Sequence, residues 1–420
     1  MLALLRKTSQ LGKSLVAVES LTAGVAKCIS TSDGAQNSEY MTKREKLGPA
    51  DLNRQQRLKK AIRTLSTLNY SVPLAARATV SKDESREFMA VFPDLVRDLT
   101  EAAAKYGSKD AAKWYAKALQ YNVPRGKKNR GLVAVLTYKQ LVDSSQQTPE
   151  NIKLAQYLGW CVEMLQSFFL IQDDIVDGSQ TRRGQPCWHR LEDVGLTAVN
   201  DSLMIEKGIF YILKKYFGQK DYYVKLVELF HDVIFITSLG QSLDLQTSNK
   251  DVTSFTMDRY KTIVADKTAY YTFYLPVAVS MHLAGITDPE AFRQAKTILL
   301  EMGHFFQVQD DFFDVFGDPE IIGKIGTDIQ ENKCSWLAVV CMQRASEAQK
   351  EIMRECYGKN DPVKVAQVKK LYKELGLPNT YAIYEEETYN MIRTHIQQTS
   401  RGIPHEIFFK ILEKIYQRDS

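Results

Sequence analysis

The stretch at residues 290–316 reads EAFRQAKTILLEMGHFFQVQDDFFDVF. Its apolar residues recur at three- and four-residue spacings, the stripe of a helix buried along one side. It ends in Asp310-Asp311-Phe312-Phe313-Asp314. A second long stripe, residues 152–176, ends the same way in Phe168-Phe169-Leu170-Ile171-Gln172-Asp173-Asp174-Ile175-Val176-Asp177. Helices of such length are typical of a bundle.

Outward from these two, the same periodicity continues. From Ser81 onward Phe88, Val91, Phe92, Leu95, Val96 and Leu99 form one stripe, and others run through 221–243, 257–284 and 332–345. Alternating strand patterns with hairpin turns are hard to find. The reading is an all-α chain: one large bundle of about ten or more helices around a central cavity, spanning residues 81–420. No run reaches about 18 consecutive apolar residues, and the most apolar segment, 270–285, is broken by Pro276 and His282. A transmembrane segment is therefore not expected.

Hydrophobic residues make up 44% of the 420 and charged residues 25%, ordinary for a globular chain. The six cysteines (28, 161, 187, 334, 341, 356) show no CxxC pair or zinc-ligand spacing, which suits free thiols in a reducing compartment. Residues 1–80 hold 13 Lys/Arg against 5 Asp/Glu, and the remaining 340 hold 42 against 45. The basic balance thus belongs to an N-terminal extension, and the body gives no reason to expect nucleic acid as a partner. The first 18 residues, MLALLRKTSQLGKSLVAV, carry Arg6, Lys7 and Lys13 and no acid. That composition fits a mitochondrial transit peptide; the other reading is a tail without fixed structure. Met41 offers a second start, for a shorter cytoplasmic form. Residues 41–80 read as a linker with one short helix.

Each DDxxD places its first and last carboxylates at i,i+4 and its middle and last at i,i+3, so the spacing brings them together. Like charges in one place repel, and a hard cation such as Mg²⁺, which prefers oxygen ligands and water, relieves that. The negative end of a helix dipole favours a cation as well. A single acidic helix end is as well explained by solvation. Two copies, each behind a Phe-Phe pair, point to metal ions shared with a polyanion such as diphosphate.

These motifs, with several others in order, resemble the trans-prenyltransferases, and among them farnesyl diphosphate synthases of animal type. Gly126-Lys127-Lys128-Asn129-Arg130-Gly131 looks like the family's GKxxRG loop, Thr181-Arg182-Arg183-Gly184 follows the first triad, and Gly240-Gln241-Ser242-Leu243-Asp244 is similar to its GQxxD element. Lys267-Thr268 matches a KT pair, and Gly323-Lys324-Ile325-Gly326-Thr327-Asp328 with Asn332-Lys333 follows the second triad.

The resemblance, which covers about residues 81–420, implies the isoprenoid synthase fold. It also implies Mg²⁺-dependent condensation of isopentenyl diphosphate with dimethylallyl and then geranyl diphosphate. Asp173, Asp177 and Asp310 would be the main metal ligands, with Asp174, Asp311 and Asp314 direct or through water. The ions number three by resemblance, and Mn²⁺ or Co²⁺ can substitute. Arg182, Lys267 and Lys324, with Lys333 in the loop beyond, would donate to the allylic phosphates. Lys127, Arg130 and Arg183, helped by Asn129 and Gln166, would hold isopentenyl diphosphate. Thr268, Gln307 and the Lys267 carbonyl would face the allylic cation, and Arg418 resembles a C-terminal arginine that closes the site. A homodimer is the family's usual state.

Phe168 and Phe169 lie five and four residues before Asp173, roughly 6–7.5 Å deeper along the helix, where by resemblance their rings would limit product length. Core packing is the other reading for either ring. The chain departs from the pattern at Gln172, where a small residue is usual, at Ala265-Asp266, at the Asp419-Ser420 terminus and at His304, which reads as a polar core residue. Gln172 keeps open a ten-carbon product or a homologous allylic substrate, and a weakly active partner subunit is the reading from another class.

Overall fold

The computed structural model describes residues 82–106, 108–318, 326–399 and 403–416. The 1–80 extension, Lys324 and Arg418 lie outside them. In chain order the helices are α1 (Lys82–Lys105), α2 (Lys109–Asn122), α3 (Asn129–Leu141), α4 (Pro149–Val176), α5 (Ala198–Phe217), α6 (Tyr223–Ser248) and α7 (Met257–Val264). A π-helical segment, Ala265–Tyr274, leads into α8 (Leu275–Leu283). Then come α9 (Pro289–Phe316), α10 (Trp336–Arg344), α11 (Glu347–Cys356), α12 (Pro362–Glu374), α13 (Leu377–Gln398) and α14 (His405–Tyr416). Short 3₁₀ turns join some of them.

The two helices that end in the triads are started by the same device. Thr148 accepts a hydrogen bond from the Asn151 N–H ahead of Pro149, and Asp288 accepts one from Glu290 ahead of Pro289. A capping oxygen followed by proline at the first helical position fixes where each helix begins. Both then run for 28 residues. From Leu154 to Phe168 α4 is buried on every side, which makes it the central rod of the bundle. The stripe predicted in α1 packs on it: the Phe88 ring stacks on Trp160 with centroids 4.5 Å apart, and the Trp160 indole N–H donates to the Phe88 carbonyl at 2.9 Å. Each aliphatic side chain buried here stabilises by about 1.5–3 kcal/mol.

Among the described residues two helices pass a test of length and mean hydropathy for crossing a membrane, although no unbroken apolar run reaches that length. Mean hydropathy tolerates the isolated polar residues that interrupt a run. Of α4's apolar window 89% is buried within the protein, so its hydrophobicity is that of a core; the window in α6 is 28% buried.

The π segment lies between α6 and α9. Gly240 of α6 faces it so closely that a Cβ there would sit 2.6 Å from the Asp266 carbonyl carbon. On the other side a Cβ on Gly303 of α9 would collide with Ala269. Absent side chains on both flanks let the wider π coil fit. Such insertions recur at functional sites.

One element was not legible from alternation. Thr181–Arg182 and Gln185–Pro186 pair as a two-residue antiparallel hairpin, with Arg183 (φ 53°) and Gly184 (φ 74°) at its tip. Two positive φ values in a row make the primed turn that matches strand twist.

Candidate active site

The first triad closes α4, and its carboxylates are met by cations from three directions. Asp173 lies 3.4 Å from Arg182 Nη2 of the hairpin and 3.5 Å from Lys267 Nζ of the π segment, and accepts a hydrogen bond from Gln241 of α6 at 3.1 Å. Asp177 lies 3.4 Å from Lys333 Nζ. Asp244, buried on α6, receives Lys267 Nζ at 2.7 Å and stands 3.5 Å from Lys333 Nζ. Burial pushes the Asp173 carboxyl up, but Lys267, Arg182 and Lys333 hold it below its usual range. At Asp177, burial and the neighbouring Asp173 charge outweigh Lys333, and its pKa is raised. Lys267 is desolvated yet held above its ordinary value by Asp244 and Asp173.

The middle aspartate of each triad behaves differently from the convergence that spacing alone suggests. Asp174 is buried and accepts from Arg182 Nε at 2.9 Å. Asp311, also buried, accepts from Gln307 Nε2 at 2.9 Å and from the Trp336 N–H at 2.8 Å. That N–H is the first of α10, so Asp311 caps a helix N-terminus. Burial pushes its pKa up to about 7. Asp310 and Asp314 are partly exposed. Asp314 accepts from the Asp328 N–H at 3.0 Å, which ties the second triad to the loop that leads to Lys333.

The second basic group comes from the hairpin tip and from the start of α3 with the loop before it. The Arg183 guanidinium packs on Gly126, where a Cβ would come within 2.7 Å of its Nε, and its N–H donates to the Arg125 carbonyl. Arg130 donates to Thr272 Oγ1 of the π segment from Nε (3.1 Å) and Nη2 (2.9 Å), and its guanidinium lies 5.0 Å from the Tyr271 ring centre. Asn129 accepts from Lys414 of α14 at 2.9 Å. Lys127 is exposed. Gln166 is buried, and its Oε1 has no protein partner.

The Phe168 and Phe169 rings pack at a tilt of 31° with centroids 4.1 Å apart. Phe168 is 3% exposed and belongs to the core around α4, whereas Phe169 is partly exposed and lies 6.2 Å from Tyr271. Phe169 is thus the ring that faces the π segment. Gln172 Nε2 donates to Ser202 Oγ of α5 at 3.3 Å. His304 meets the Tyr260 ring edge at 5.5 Å, and burial brings its pKa down to about 4, as suits a neutral core histidine.

Sequence reading quoted the 240–244 element without giving Gln241 or Asp244 a role; their three-residue spacing on one helix face was the signal. Tyr271 and Thr272 carried none, because the π geometry that turns them toward Arg130 was not foreseen.

The donors fit a hard divalent cation in chemistry, since Asp173, Asp177, Asp310 and Asp314 offer carboxylate oxygens. Among the described residues no group of three or more His, Cys, Asp or Glu side chains is placed to cage a metal ion by itself. Mg²⁺ is commonly held by one or two carboxylates plus water and substrate phosphate, and needs no such cage.

An all-α fold with acidic helix ends and two clusters of basic residues defines a class, and a family model bears it out: the polyprenyl synthetase model matches residues 112–375. The chain belongs to that family. It is 55% identical over 340 residues to the farnesyl pyrophosphate synthase of Nezara viridula (81% of this chain, 84% of that one) and 48% identical over 343 residues to that of Gallus gallus (81% and 94%). Among solved structures it is similar to a T. brucei farnesyl diphosphate synthase complexed with homorisedronate, with a TM-score of 0.73, 32% identity and coverage of 79% of this chain and 99% of that one.

Proposed function

We infer that the protein is a prenyltransferase that condenses isopentenyl diphosphate with dimethylallyl and then geranyl diphosphate, releasing farnesyl diphosphate and diphosphate. The observation that carries this reading is the meeting of Arg182, Lys267 and Lys333 over the first triad, beside the separate Arg130–Arg183 cluster. One group suits a phosphate shared with metal, the other a phosphate held by the protein alone. The relatives' names disfavour a ten-carbon product or an inactive subunit.

Arg182, Lys267 and Lys333 donate to the allylic diphosphate and stabilise the charge that grows on it as its C–O bond breaks. Lys127, Arg130 and Arg183 hold isopentenyl diphosphate so that its double bond faces the nascent cation. Thr268, Gln307 and the Lys267 carbonyl present dipoles and no competing nucleophile, and the departing diphosphate takes the final proton. Asp173, Asp177 and Asp310, with Asp314, would hold the metal; Asp174 and Asp311 stand behind them, orienting Arg182, Gln307 and α10. When bound, Mg²⁺ supplies Lewis-acid neutralisation of the leaving group. Lys324 and Arg418 enter by resemblance as residues that close over substrate.

The deciding experiment incubates the protein with Mg²⁺, isopentenyl diphosphate and each allylic primer and separates the products by chain length. Fifteen carbons from either primer is expected; absence of diphosphate release would sink the reading. Asp310→Ala should keep its helical circular dichroism and lose at least about 10²–10³ in rate, the scale of one lost transition-state contact. Near-normal turnover would remove the second triad from the site. The basic leader supports import into mitochondria, tested by whether residues 1–40 carry a fluorescent reporter there, with a start at Met41 leaving it in the cytoplasm. The exposed Val224, Phe235 and Leu239 of α6, with Val199 and Leu203 of α5, support a homodimer through that face.

A further inference from the structure

Glu163 is a buried carboxylate to which the chemistry above gives no part. It lies on α4, ten residues before Asp173, and is 2% exposed. Its Oε1 accepts from the Gly131 N–H at 2.8 Å. Gly131 is the third residue of α3, whose first turn contains Asn129 and Arg130. Helix starts leave four N–H groups without partners inside the helix. The cap residue here, Lys128, stands at φ 50° and makes no side-chain capping bond. The capping acceptor comes instead from α4, as a carboxylate against the positive end of α3.

The fit leaves little slack. The α3 and α4 backbones touch at Gly131 and Gly159: a Cβ on Gly159 would lie 2.6 Å from the Gly131 carbonyl oxygen, and one on Gly131 would lie 3.0 Å from Glu163 Cγ. Ser167 Oγ donates to the Glu163 carbonyl at 2.8 Å and reaches the Asn122 carbonyl, at the end of α2, at 3.3 Å. Burial lowers the Arg183 pKa, and the repulsion of Arg130 and Arg182 adds to that against the opposing charge of Glu163.

We propose that Glu163 is a positioning residue for isopentenyl diphosphate: it pins the start of α3, which carries Arg130, so that this guanidinium waits in place for the phosphate. It touches neither substrate nor reacting atoms, and its effect falls on one substrate only. The proposal rests on the prenyltransferase reading and deepens it.

The test compares Glu163→Gln, which keeps an acceptor for Gly131 and removes the charge, with Glu163→Leu, which removes both. For each, KM for isopentenyl diphosphate and for geranyl diphosphate is measured separately, with kcat. Wild-type turnover is read first, and its absence would count against the prenyltransferase reading itself. Given an active wild type, the isopentenyl KM should rise about threefold in Glu163→Gln and about thirtyfold in Glu163→Leu, the scale of a lost charged hydrogen bond. The geranyl KM and kcat should stay within about twofold of wild type. An unchanged isopentenyl KM in Glu163→Gln, or a parallel rise for both substrates, overturns the proposal. If Glu163→Leu does not fold, Glu163→Gln alone decides by the same criteria.

Discussion

Phe169 and Phe168 are adjacent, yet their surroundings divide the labour between them. Phe168 is a core residue; Phe169 leans toward Tyr271. Phe169→Ala should therefore shift products beyond fifteen carbons with little loss of stability. Phe168→Ala should cost about 3–5 kcal/mol, as expected for a buried aromatic. Product chromatography and urea melts check the pair, and unchanged product length in Phe169→Ala would take that ring out of the tunnel wall. His304 gives a pH-dependent outcome. Unfolded, it takes up a proton near 6.5; folded, near 4. The unfolded chain thus binds more protons between those values, so stability rises with pH through that window and is lost as pH falls. The effect is on the order of 2 kcal/mol. His304→Gln should show a shallower loss of stability between pH 6.5 and 4 than wild type, and identical slopes would place its titration elsewhere. At this scale the sequence told which residues carry charge to the site. It could not tell that Asp174 and Asp311 would be drawn aside, because Arg182 and the Trp336 N–H reach them only through tertiary folding.

The helices themselves were legible to within a few residues wherever a stripe met a capping signal, as at Thr148-Pro149 and Asp288-Pro289. Two elements were not. The hairpin at 181–186 is too short to alternate, and only the positive φ at Arg183 and Gly184 marks it. The segment 257–284 reads as one continuous helix, because the apolar pattern of ten residues does not record whether a turn closes on an i→i+4 or an i→i+5 hydrogen bond. What identifies the π stretch is the glycine on each neighbour. Gly303→Ala should put a methyl group where Ala269 now sits, costing about 1–3 kcal/mol through overpacking and lowering kcat by displacing Lys267 and Thr268. Thermal melts and steady-state rates check it; full activity at wild-type stability would show that the segment yields without moving those residues.

Across the whole molecule, burial is uneven in a way that bears on assembly. Helix α4 hides its apolar side chains inside the bundle, whereas α6, with comparable hydropathy, leaves Phe235 65% and Leu239 51% exposed. Sequence hydropathy treats the two alike; only the packing separates a core rod from an outward face. If that face joins two copies, Phe235→Lys should halve the mass seen by analytical ultracentrifugation and leave the helical signal of each monomer intact. An unaltered mass would move the contact to another surface.

The π segment sets a different kind of constraint from any single side chain. A π coil closes each turn on an i→i+5 hydrogen bond, one residue more than an α turn. Deleting one residue between Ala265 and Tyr274 would therefore let a turn close as α and re-aim Lys267 and Thr268 relative to Thr272. The stretch can exchange one amino acid for another, but its length is fixed, so evolutionary insertions and deletions should fall in the connecting loops and spare these ten positions.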